Sequence, residues 1–213
     1  MSARIHIDLW SDIACPWCFI GMRRIRQAIE GREDVELQLR AYQLQPQLPP
    51  ESVDAAGYLA QRFGGAERVG TMHARLQKLA ESDGIVFDFA RQKMANTRLA
   101  HRIVALAQRE GQGVAAAEAL FRGNFQEGAD VARLEEALGL LSKHGVPLDV
   151  ARLRVALEAG EANAEVDADL ELAARYGISG VPFAVANQQV ALEGAQPLEQ
   201  MKEFIEYAGR EAR

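Results

Sequence analysis

The feature that most constrains this chain is its pair of cysteines, Cys15 and Cys18, which are its only two. They stand in the stretch Cys15-Pro16-Trp17-Cys18, after a segment of alternating apolar residues and before one with helical periodicity. This order predicts a strand that leads into a helix at the motif. Pro16 suits the first position of a helix, and two thiols on one turn lie close enough to form a small disulfide. The motif therefore predicts thiol–disulfide exchange.

The two thiols are expected to have different roles. At a helix N-terminus, unpaired backbone N–H groups and the helix dipole favour the thiolate of Cys15, which makes it the predicted nucleophile. Cys18, one turn deeper, is the predicted resolving thiol, since it can attack a mixed disulfide at Cys15 and release the partner. Pro16 and Trp17 carry no charge, so the sequence predicts neither the redox potential nor the direction of exchange.

Two other structures are compatible with a cysteine pair of this spacing. A structural zinc site needs four ligands, and only the four histidines of the chain could complete one. None of them shows a paired spacing typical of zinc sites, so no metal site is predicted. The histidines are His6, His73, His101 and His144. The second alternative is a pair of buried, inert cysteines on a core-facing helix, and the strand-to-helix context of Pro16 favours a functional turn over it.

Length and composition indicate a globular protein with few classes of partner. The chain has 213 residues, 48% of them apolar, which is enough for a sizeable core. Its net charge is -6, and no run of Lys or Arg is long enough to follow a phosphate backbone. We therefore predict no binding to nucleic acid. The oligomeric state is left open by the sequence.

No segment has the character of a membrane helix or a secretory signal. No window approaches the roughly 18 consecutive apolar residues that span a bilayer. The segment that starts at Met1 runs directly into strand residues, without the apolar region of a secretory signal. The predicted location is therefore cytoplasmic, with no membrane association. A reducing compartment also fits a catalytic thiol pair better than a structural disulfide.

The first 50 residues have the pattern of a βαβ unit. Residues 5 to 10 alternate between apolar and other side chains, which predicts a strand with one face toward the core. The apolar stripe of the next helix includes Cys18 and Ile25, which places Cys18 on the core side. Residues 35 to 42 alternate again, and a right-handed crossover would place this second strand parallel to the first.

From residue 51 to residue 176 the pattern changes to helix after helix. Residues such as Asp149 can cap helix N-termini, and glycines such as Gly177 are well placed at helix ends. The segment therefore predicts a helical insertion. Its expected helices cover residues 55–63, 66–82, 97–110, 113–126, 131–144, 149–158 and 164–176.

Sheet signals return near the C-terminus. Residues 181–185 and 190–192 predict a β-hairpin with a turn at Asn187-Gln188, and residues 197–207 predict a final helix. Pro182 begins the first strand of this hairpin. On the residues alone, a trans Val181–Pro182 bond is the default. A cis bond is the alternative, and it would leave the Val181 backbone free to pair with an extended substrate beside Cys15.

The order βαβ, helical insertion, ββα resembles the thioredoxin superfamily, and the motifs resemble the FrnE-type oxidoreductases of its DsbA family. The motifs that carry this resemblance are SDIACPWCFIG at residues 11–21, Asn96-Thr97, Ala100-His101-Arg102, GVPF at residues 180–183 and GAQP at residues 194–197. The resemblance implies an α/β, thioredoxin-like fold with a large all-helical insertion. Residues 1–50 and 177–213 would form the thioredoxin-like domain, and residues 51–176 the inserted domain.

The resemblance also implies roles for individual residues. Cys15 matches the nucleophilic cysteine of the family and Cys18 its resolving cysteine. Val181-Pro182 matches the substrate-positioning loop, and the resemblance implies a cis bond there. His101 matches a family position that would either line a substrate cleft or be buried within a helix, and the buried placement is favoured.

Four residues in or near the motif are candidates for binding or catalysis. Pro16 and Trp17 lie in the exposed part of the motif and are predicted substrate contacts, whereas Trp10 is expected to pack beside the sheet. Asp12 lies near the thiols, where proton transfer is one interpretation and a turn-forming Asp the favoured one.

Two rival functions remain open on the sequence. The 2-hydroxychromene-2-carboxylate isomerase and kappa-class glutathione transferase group shares the fold, but its members usually have a serine at the position of Cys15. The cysteine pair therefore favours redox exchange. The second rival is a redox-independent chaperone that binds unfolded peptides. We expect protein or small-molecule thiols and disulfides as partners, glutathione as a candidate co-substrate, and no cofactor beyond the redox-active cysteine pair.

Overall fold

The structure, a computed structural model, describes residues 4–211. The outer ends of the predicted thioredoxin-like domain, residues 1–3 and 212–213, lie outside the described residues, as does most of the N-terminal stretch considered for a signal. A sheet with the strand order β2-β1-β5-β6 forms the centre of the fold. Its strands are β1 (Ile5–Ser11), β2 (Val35–Ala41), β5 (Phe183–Ala186) and β6 (Val190–Glu193).

The predicted βαβ unit and C-terminal hairpin are confirmed. Strand β2 runs parallel to β1, with Ile5 opposite Val35. Strand β5 pairs antiparallel with β1 and with β6. Asn187, in the turn between β5 and β6, has a φ of 50°, a left-handed conformation that Asn tolerates better than most residues. Its amide also donates to the carbonyl oxygen of Ala208 at 3.2 Å, which ties the turn to the last helix.

Strand β1 differs from its prediction because both of its faces are buried. The alternation in the sequence predicted one core face, yet Asp8 and Trp10, on the other face, are 3% and 0% exposed. Trp10 packs there with Ala173 and Val185. Asp8 accepts a hydrogen bond from Arg40 Nε at 2.6 Å. A charged partner and a second cluster therefore bury a face that looks polar in the sequence.

Two helices cover the side of the sheet that leads to the cysteines. Helix α1 (Pro16–Ala28) begins at the motif, and its inward face includes Met22 and Ile25, both 0% exposed. The last helix, α9 (Leu198–Glu211), packs against α1 and against β1. The predicted C-terminal helix is confirmed as α9, which extends one turn beyond the end that its pattern indicated.

The helical segment also follows the prediction closely. Between β2 and β5 the chain forms β3 (Val53–Asp54), α2 (Ala55–Phe63), α3 (Ala66–Ala80), β4 (Lys93–Met94), α4 (Arg98–Arg109), α5 (Gly113–Arg122), α6 (Leu134–Lys143), α7 (Val150–Glu158) and α8 (Asn163–Arg175). The small β3–β4 ladder was not predicted, because strands of two residues are too short to show a period.

Two helix boundaries differ from the prediction for local reasons. The helix predicted from residue 131 starts at Leu134, because Asp130 Oδ1 accepts the N–H of Ala132 at 3.0 Å and forms a turn before the helix. Helix α5 ends at Arg122 and continues as a π-helical turn, Gly123–Glu127. A hydrophobic pattern does not distinguish such a turn from α-helix.

The sheet and much of the helical segment share one continuous core. Ile7 of β1, Phe19 of α1 and Leu120 of α5 belong to the same cluster and are 0% exposed. The rings of Phe19 and Phe121 stack with centroids 5.1 Å apart. This shared core fixes α1, and therefore the cysteine motif, against the helical segment. The division into two domains at residues 51 and 176 stays a prediction.

Candidate functional site

The cysteine motif lies at a tight turn between β1 and α1. Asp12 forms the turn, since its Oδ1 accepts the N–H of Ala14 at 3.2 Å and its carbonyl oxygen accepts the N–H of Cys15 at 2.9 Å. Cys15 is the extended residue that precedes the helix, and Pro16 is the first helical residue. The N-terminus of helix α1 therefore lies at Cys15, whose carbonyl oxygen accepts the N–H of Cys18 at 3.0 Å.

The two thiols differ strongly in their surroundings. The sulfur atoms of Cys15 and Cys18 are 3.5 Å apart and not bonded. Both residues are buried, with Cys15 5% and Cys18 0% exposed. Burial raises the pKa of the Cys18 thiol well above its usual value, and the neighbouring Cys15 raises it further. The N–H of Asp12 acts in the opposite direction, since it donates to Cys18 Sγ at 3.4 Å. Cys18 therefore stays protonated until something accepts its proton.

The segment before β5 lies directly against Cys15. The carbonyl oxygen of Val181 is 3.6 Å from Cys15 Sγ, and the Val181–Pro182 peptide bond is cis. Helix α1 approaches Pro182 at Gly21, where an added Cβ would lie 2.8 Å from Pro182 Cγ. Glycine is required there because a side chain has no room. Helix α1 and this segment thus hold the Cys15 sulfur between them.

An apolar pocket of about 340 Å³ opens beside Cys15. Its walls come from the motif, from the segment after β2 and from helices α2 and α3. Most of its lining is apolar, and four of these residues are large side chains that are more than a third exposed. They are Trp17, Leu44, Phe63 and Met72. A partly exposed apolar surface next to a thiol suits a substrate with an apolar group near its sulfur.

Few polar side chains enter this pocket. Arg62 of α2 supplies a cation, and His73 of α3 stacks on Phe89 with ring centroids 3.8 Å apart. Burial lowers the pKa of His73, which favours its neutral form. The pocket therefore offers one fixed positive charge, and its other polar lining residues, Gln45, Tyr58 and Gln92, are uncharged.

The structure brings most of the predicted site residues together. Cys15, Pro16 and Trp17 line the pocket, and Val181 adjoins Cys15 through its carbonyl oxygen. Pro182 is buried behind that contact, against α1. The set therefore surrounds one sulfur atom, that of Cys15.

His101, a candidate either for lining a substrate cleft or for burial within a helix, has the favoured buried placement and does not line the pocket. It is 5% exposed within α4, its Nε2 lies 3.4 Å from Asp12 Oδ1, and it lines a separate small cavity. The apolar face of α4 turns His101 into the interior, on the far side of the turn from the pocket. Asp12 is itself 1% exposed, and its Oδ2 accepts the N–H of Leu44 at 2.7 Å.

The two tryptophans have the contrasting placements that were expected. Trp10 is fully buried and donates from Nε1 to the carbonyl oxygen of Asp169 at 3.1 Å, whereas Trp17 is 37% exposed at the pocket. Phe63 and Met72 were not predicted as site residues. Their only signal is that they are apolar residues on the exposed parts of amphipathic helices, and nothing in the sequence indicates which residues they face.

The part of the chain that the structure describes has neither a membrane-spanning helix nor a cluster of metal-ligating side chains. Among residues 4–211, no helix combines the length and apolarity needed to cross a bilayer. The same residues contain no group of three or more His, Cys, Asp or Glu side chains placed to hold a metal ion.

Comparisons with known proteins agree with this geometry. The family model of the DSBA-like thioredoxin domain matches residues 6–206. Uncharacterized protein YwbO of Bacillus subtilis (strain 168) is 28% identical over 159 residues, which are 72% of each chain. The probable DsbA oxidoreductase SCO1869 from Streptomyces coelicolor superposes with a TM-score of 0.89 at 30% identity, over 98% of this chain and 91% of the other.

A third comparison shows that the fold is shared with a different kind of enzyme. A 2-hydroxychromene-2-carboxylate isomerase superposes with a TM-score of 0.69 at 15% identity, over 97% of each chain. At that identity the likeness concerns the fold alone. The family model covers most of the chain, and the match to SCO1869 supports the same family. The chain therefore belongs to the DSBA-like thioredoxin domain family.

Proposed function

We propose that this protein is a thiol–disulfide oxidoreductase in which Cys15 is the nucleophile and Cys18 the resolving thiol. The observation that carries the proposal is the asymmetric thiol pair: two reduced sulfurs 3.5 Å apart, of which only that of Cys15 borders the pocket. A substrate can therefore reach Cys15, while Cys18 is in place to attack what forms there.

The exchange has two steps. The Cys15 thiolate attacks one sulfur of a substrate disulfide, forms a mixed disulfide and releases the other sulfur as a thiolate. Cys18 then loses its proton and attacks Cys15 Sγ. The Cys15–Cys18 disulfide forms, the bond to the substrate breaks, and the substrate sulfur leaves with the electron pair. The same steps in reverse oxidise a dithiol substrate.

The surroundings of Cys15 favour protein or peptide substrates with an apolar residue close to the cysteine. The pocket would take that residue, and the Val181 backbone would pair with an extended chain. Glutathione is a candidate co-substrate, since the Cys15 thiolate can form a mixed disulfide with it. No cofactor beyond the cysteine pair is proposed. A cytoplasmic location stays a prediction, which cell fractionation tests.

The proposal is tested by the redox equilibrium of the cysteine pair in defined glutathione buffers, followed by Trp17 fluorescence. We expect one reversible two-electron transition, together with reduction of insulin or reshuffling of a scrambled disulfide protein that Cys15→Ser abolishes. A Trp10→Phe variant should keep the fluorescence signal, because Trp10 is buried away from the pocket. The absence of a disulfide, or a disulfide without exchange activity, would refute the proposal. The midpoint potential gives the favoured direction.

A second candidate is glutathione-dependent isomerisation. It is favoured by the shared fold and by a pocket of about 340 Å³, which is large enough for a small aromatic molecule beside Cys15. In such an enzyme the thiol of glutathione would be the reacting group. Isomerase turnover that survives Cys15→Ser would support this candidate. Aggregation suppression that survives replacement of both cysteines by serine would instead support the redox-independent chaperone.

A further inference from the structure

A second, much smaller cavity lies on the far side of the cysteine turn from the pocket. Its volume is about 20 Å³, and its polar lining residues are Ser11, Arg40, His101, Gln108 and Asp169. A cavity of roughly 10–15 Å³ or more with several polar partners can hold a water molecule. This cavity therefore has the size and polarity of a site for one water.

Two of its lining residues have buried polar atoms without a partner. Ser11 Oγ and His101 Nε2 make no hydrogen bond of normal geometry within residues 4–211, although their residues are only 6% and 5% exposed. An unsatisfied buried polar atom destabilises a fold by about 1–3 kcal/mol, and ordered water usually satisfies such atoms. One water between these two residues could form a hydrogen bond with each of the two atoms.

Ser11 connects this cavity to Cys18. Ser11 lies beside the buried thiol, because the next residue, Asp12, donates its N–H to Cys18 Sγ at 3.4 Å. The Ser11 hydroxyl lowers the pKa of that thiol, against the larger effect of burial. Cys18 is 0% exposed, so its proton has no direct path to bulk water. Ser11 is thus the side-chain hydroxyl next to the proton that the resolving step must remove.

His101 is surrounded by charged groups from three different elements. In the described chain, the charged groups that face it are Asp12 from the turn before α1, Asp169 from α8 and Arg40 from β2. Asp12 Oδ1 lies 3.4 Å from its Nε2. The arginines of α4 itself point outward, where Arg102 donates to the carbonyl oxygen of Glu161 at 2.9 Å. The ring therefore faces two carboxylates and one guanidinium, and its Nε2 is the nitrogen turned toward Asp12.

We propose that Ser11 and His101 form a proton relay for Cys18, with one water in the small cavity between them. This inference rests on the thiol–disulfide exchange proposed above. In the resolving step, Ser11 Oγ accepts the Cys18 proton while its own proton passes through the water to His101. Cys18 Sγ then bonds to Cys15 Sγ, and the substrate sulfur leaves as a thiolate. Later loss of the proton from His101 to solvent completes the balance.

The test separates the two steps with the reduced full-length protein and the aromatic disulfide dithiobis(nitrobenzoate), followed by stopped-flow absorbance. The first thionitrobenzoate is released when Cys15 attacks, and the second when Cys18 resolves the mixed disulfide. We expect Ser11→Ala and His101→Gln to leave the first rate unchanged and to slow the second by about a hundredfold or more, which is the lower end of the range for general acid–base catalysis.

The pH dependence of the second rate distinguishes a relay from a structural role. In the parent protein the rate should rise with pH and then level off once the proton acceptor of the relay is fully in its basic form. In His101→Gln it should instead keep rising in proportion to hydroxide, because ionisation of Cys18 becomes the only route. Matched controls are Ser82→Ala and His144→Gln, both outside the cavity, which should match the parent in both rates.

The possible failures are distinct. If no first release occurs in the parent protein, the oxidoreductase proposal itself fails. If the first release is normal and both variants resolve within twofold of the parent at every pH, the relay alone is overturned. A loss in Ser11→Ala with a normal rate and profile in His101→Gln also overturns the relay as proposed.

Discussion

The Cys15 sulfur lies between two groups that contact it from different sides: Val181 O at 3.6 Å and Cys18 Sγ at 3.5 Å. Val181 is partly exposed beside the site, whereas Cys18 is fully buried. A group bound to Cys15 from the solvent side therefore leaves the inner side of its sulfur open to Cys18. This arrangement allows attack and resolution to occur at one atom without movement of helix α1.

The asymmetry predicts which single variant traps a substrate. Cys18→Ser should still form the mixed disulfide at Cys15 but should resolve it at least about a hundredfold more slowly, since no second thiol is present. Mass spectrometry after mixing with oxidised glutathione should show one glutathione per chain. Cys15→Ser is the matched control and should show none. Equal labelling of both variants would contradict the assigned roles.

The contact between Gly21 and Pro182 predicts a site-specific effect of one methyl group. An alanine Cβ at Gly21 would lie 2.8 Å from Pro182 Cγ and 3.2 Å from its Cβ, so α1 or the segment before β5 must shift. We expect Gly21→Ala to lower the free energy of unfolding by about 1–3 kcal/mol. It should also slow the attack of Cys15, because Val181 moves with Pro182.

Gly139 supplies the matched control for this variant. It lies within α6, is exposed, and an added Cβ there meets nothing within 4 Å. Gly139→Ala should therefore raise stability by up to about 1 kcal/mol, because alanine favours helix over glycine. Urea unfolding measures both variants. A Gly21→Ala variant as stable and as active as the parent would show that the close contact is not maintained in solution.

The sequence predicted the order of the elements because each carries a local signal. The alternation of apolar and polar residues in β2 and the apolar stripes of α2 and α9 depend only on nearby residues. The structure has these elements where the patterns predicted them. The second buried face of β1 could not be predicted, because it depends on Trp10 meeting Ala173, far along the chain. A charged residue in a strand pattern predicts a solvent-exposed face unless its partner is known. Here the partner of Asp8 is Arg40.

The candidate site was predictable to a smaller extent. The cysteine motif and Val181-Pro182 were found because short motifs carry them. Phe63 and Met72 were missed, since an apolar residue on an amphipathic helix gives no sign that it faces a site instead of the core. Ser11 was missed because its role depends on a cavity of about 20 Å³. Such a space results from the packing of α4 against β2, next to the end of β1, and has no sequence pattern.

The pocket predicts that binding of apolar substrates can be weakened without a change in the thiols. Met72 is 38% exposed on α3 and lines the pocket. Met72→Glu should raise the KM for reduced or oxidised peptides with an apolar residue next to cysteine by about tenfold, or 1.4 kcal/mol. The rate with bis(2-hydroxyethyl) disulfide, a small uncharged disulfide without an apolar residue for the pocket, should change little. Val155→Glu on α7, where Val155 is 65% exposed, is the control and should leave both unchanged.

Arg40 predicts a pH-dependent effect on stability, because it neutralises two buried carboxylates. Its Nε donates to Asp8 at 2.6 Å and its Nη1 to Asp169 at 3.0 Å. Replacement by methionine would leave both carboxylates without a cation. We expect Arg40→Met to lower the free energy of unfolding by about 3 kcal/mol at neutral pH. Arg109→Met is the control, since Arg109 pairs with Glu161 at the surface, and it should lower stability by less than about 1 kcal/mol.

The sign of the pH dependence follows from Asp169. Burial raises its pKa above the usual value for Asp, although the N–H of Ala41 and the charge of Arg40 lower it in part. Loss of Arg40 raises this pKa further, so the folded variant binds a proton more readily than the unfolded chain. Its stability should then increase as pH falls through the raised pKa, and the deficit relative to the parent should shrink. Urea unfolding of both proteins between pH 7 and moderately acidic pH measures this difference, and a constant deficit would show that Asp169 is not held by Arg40.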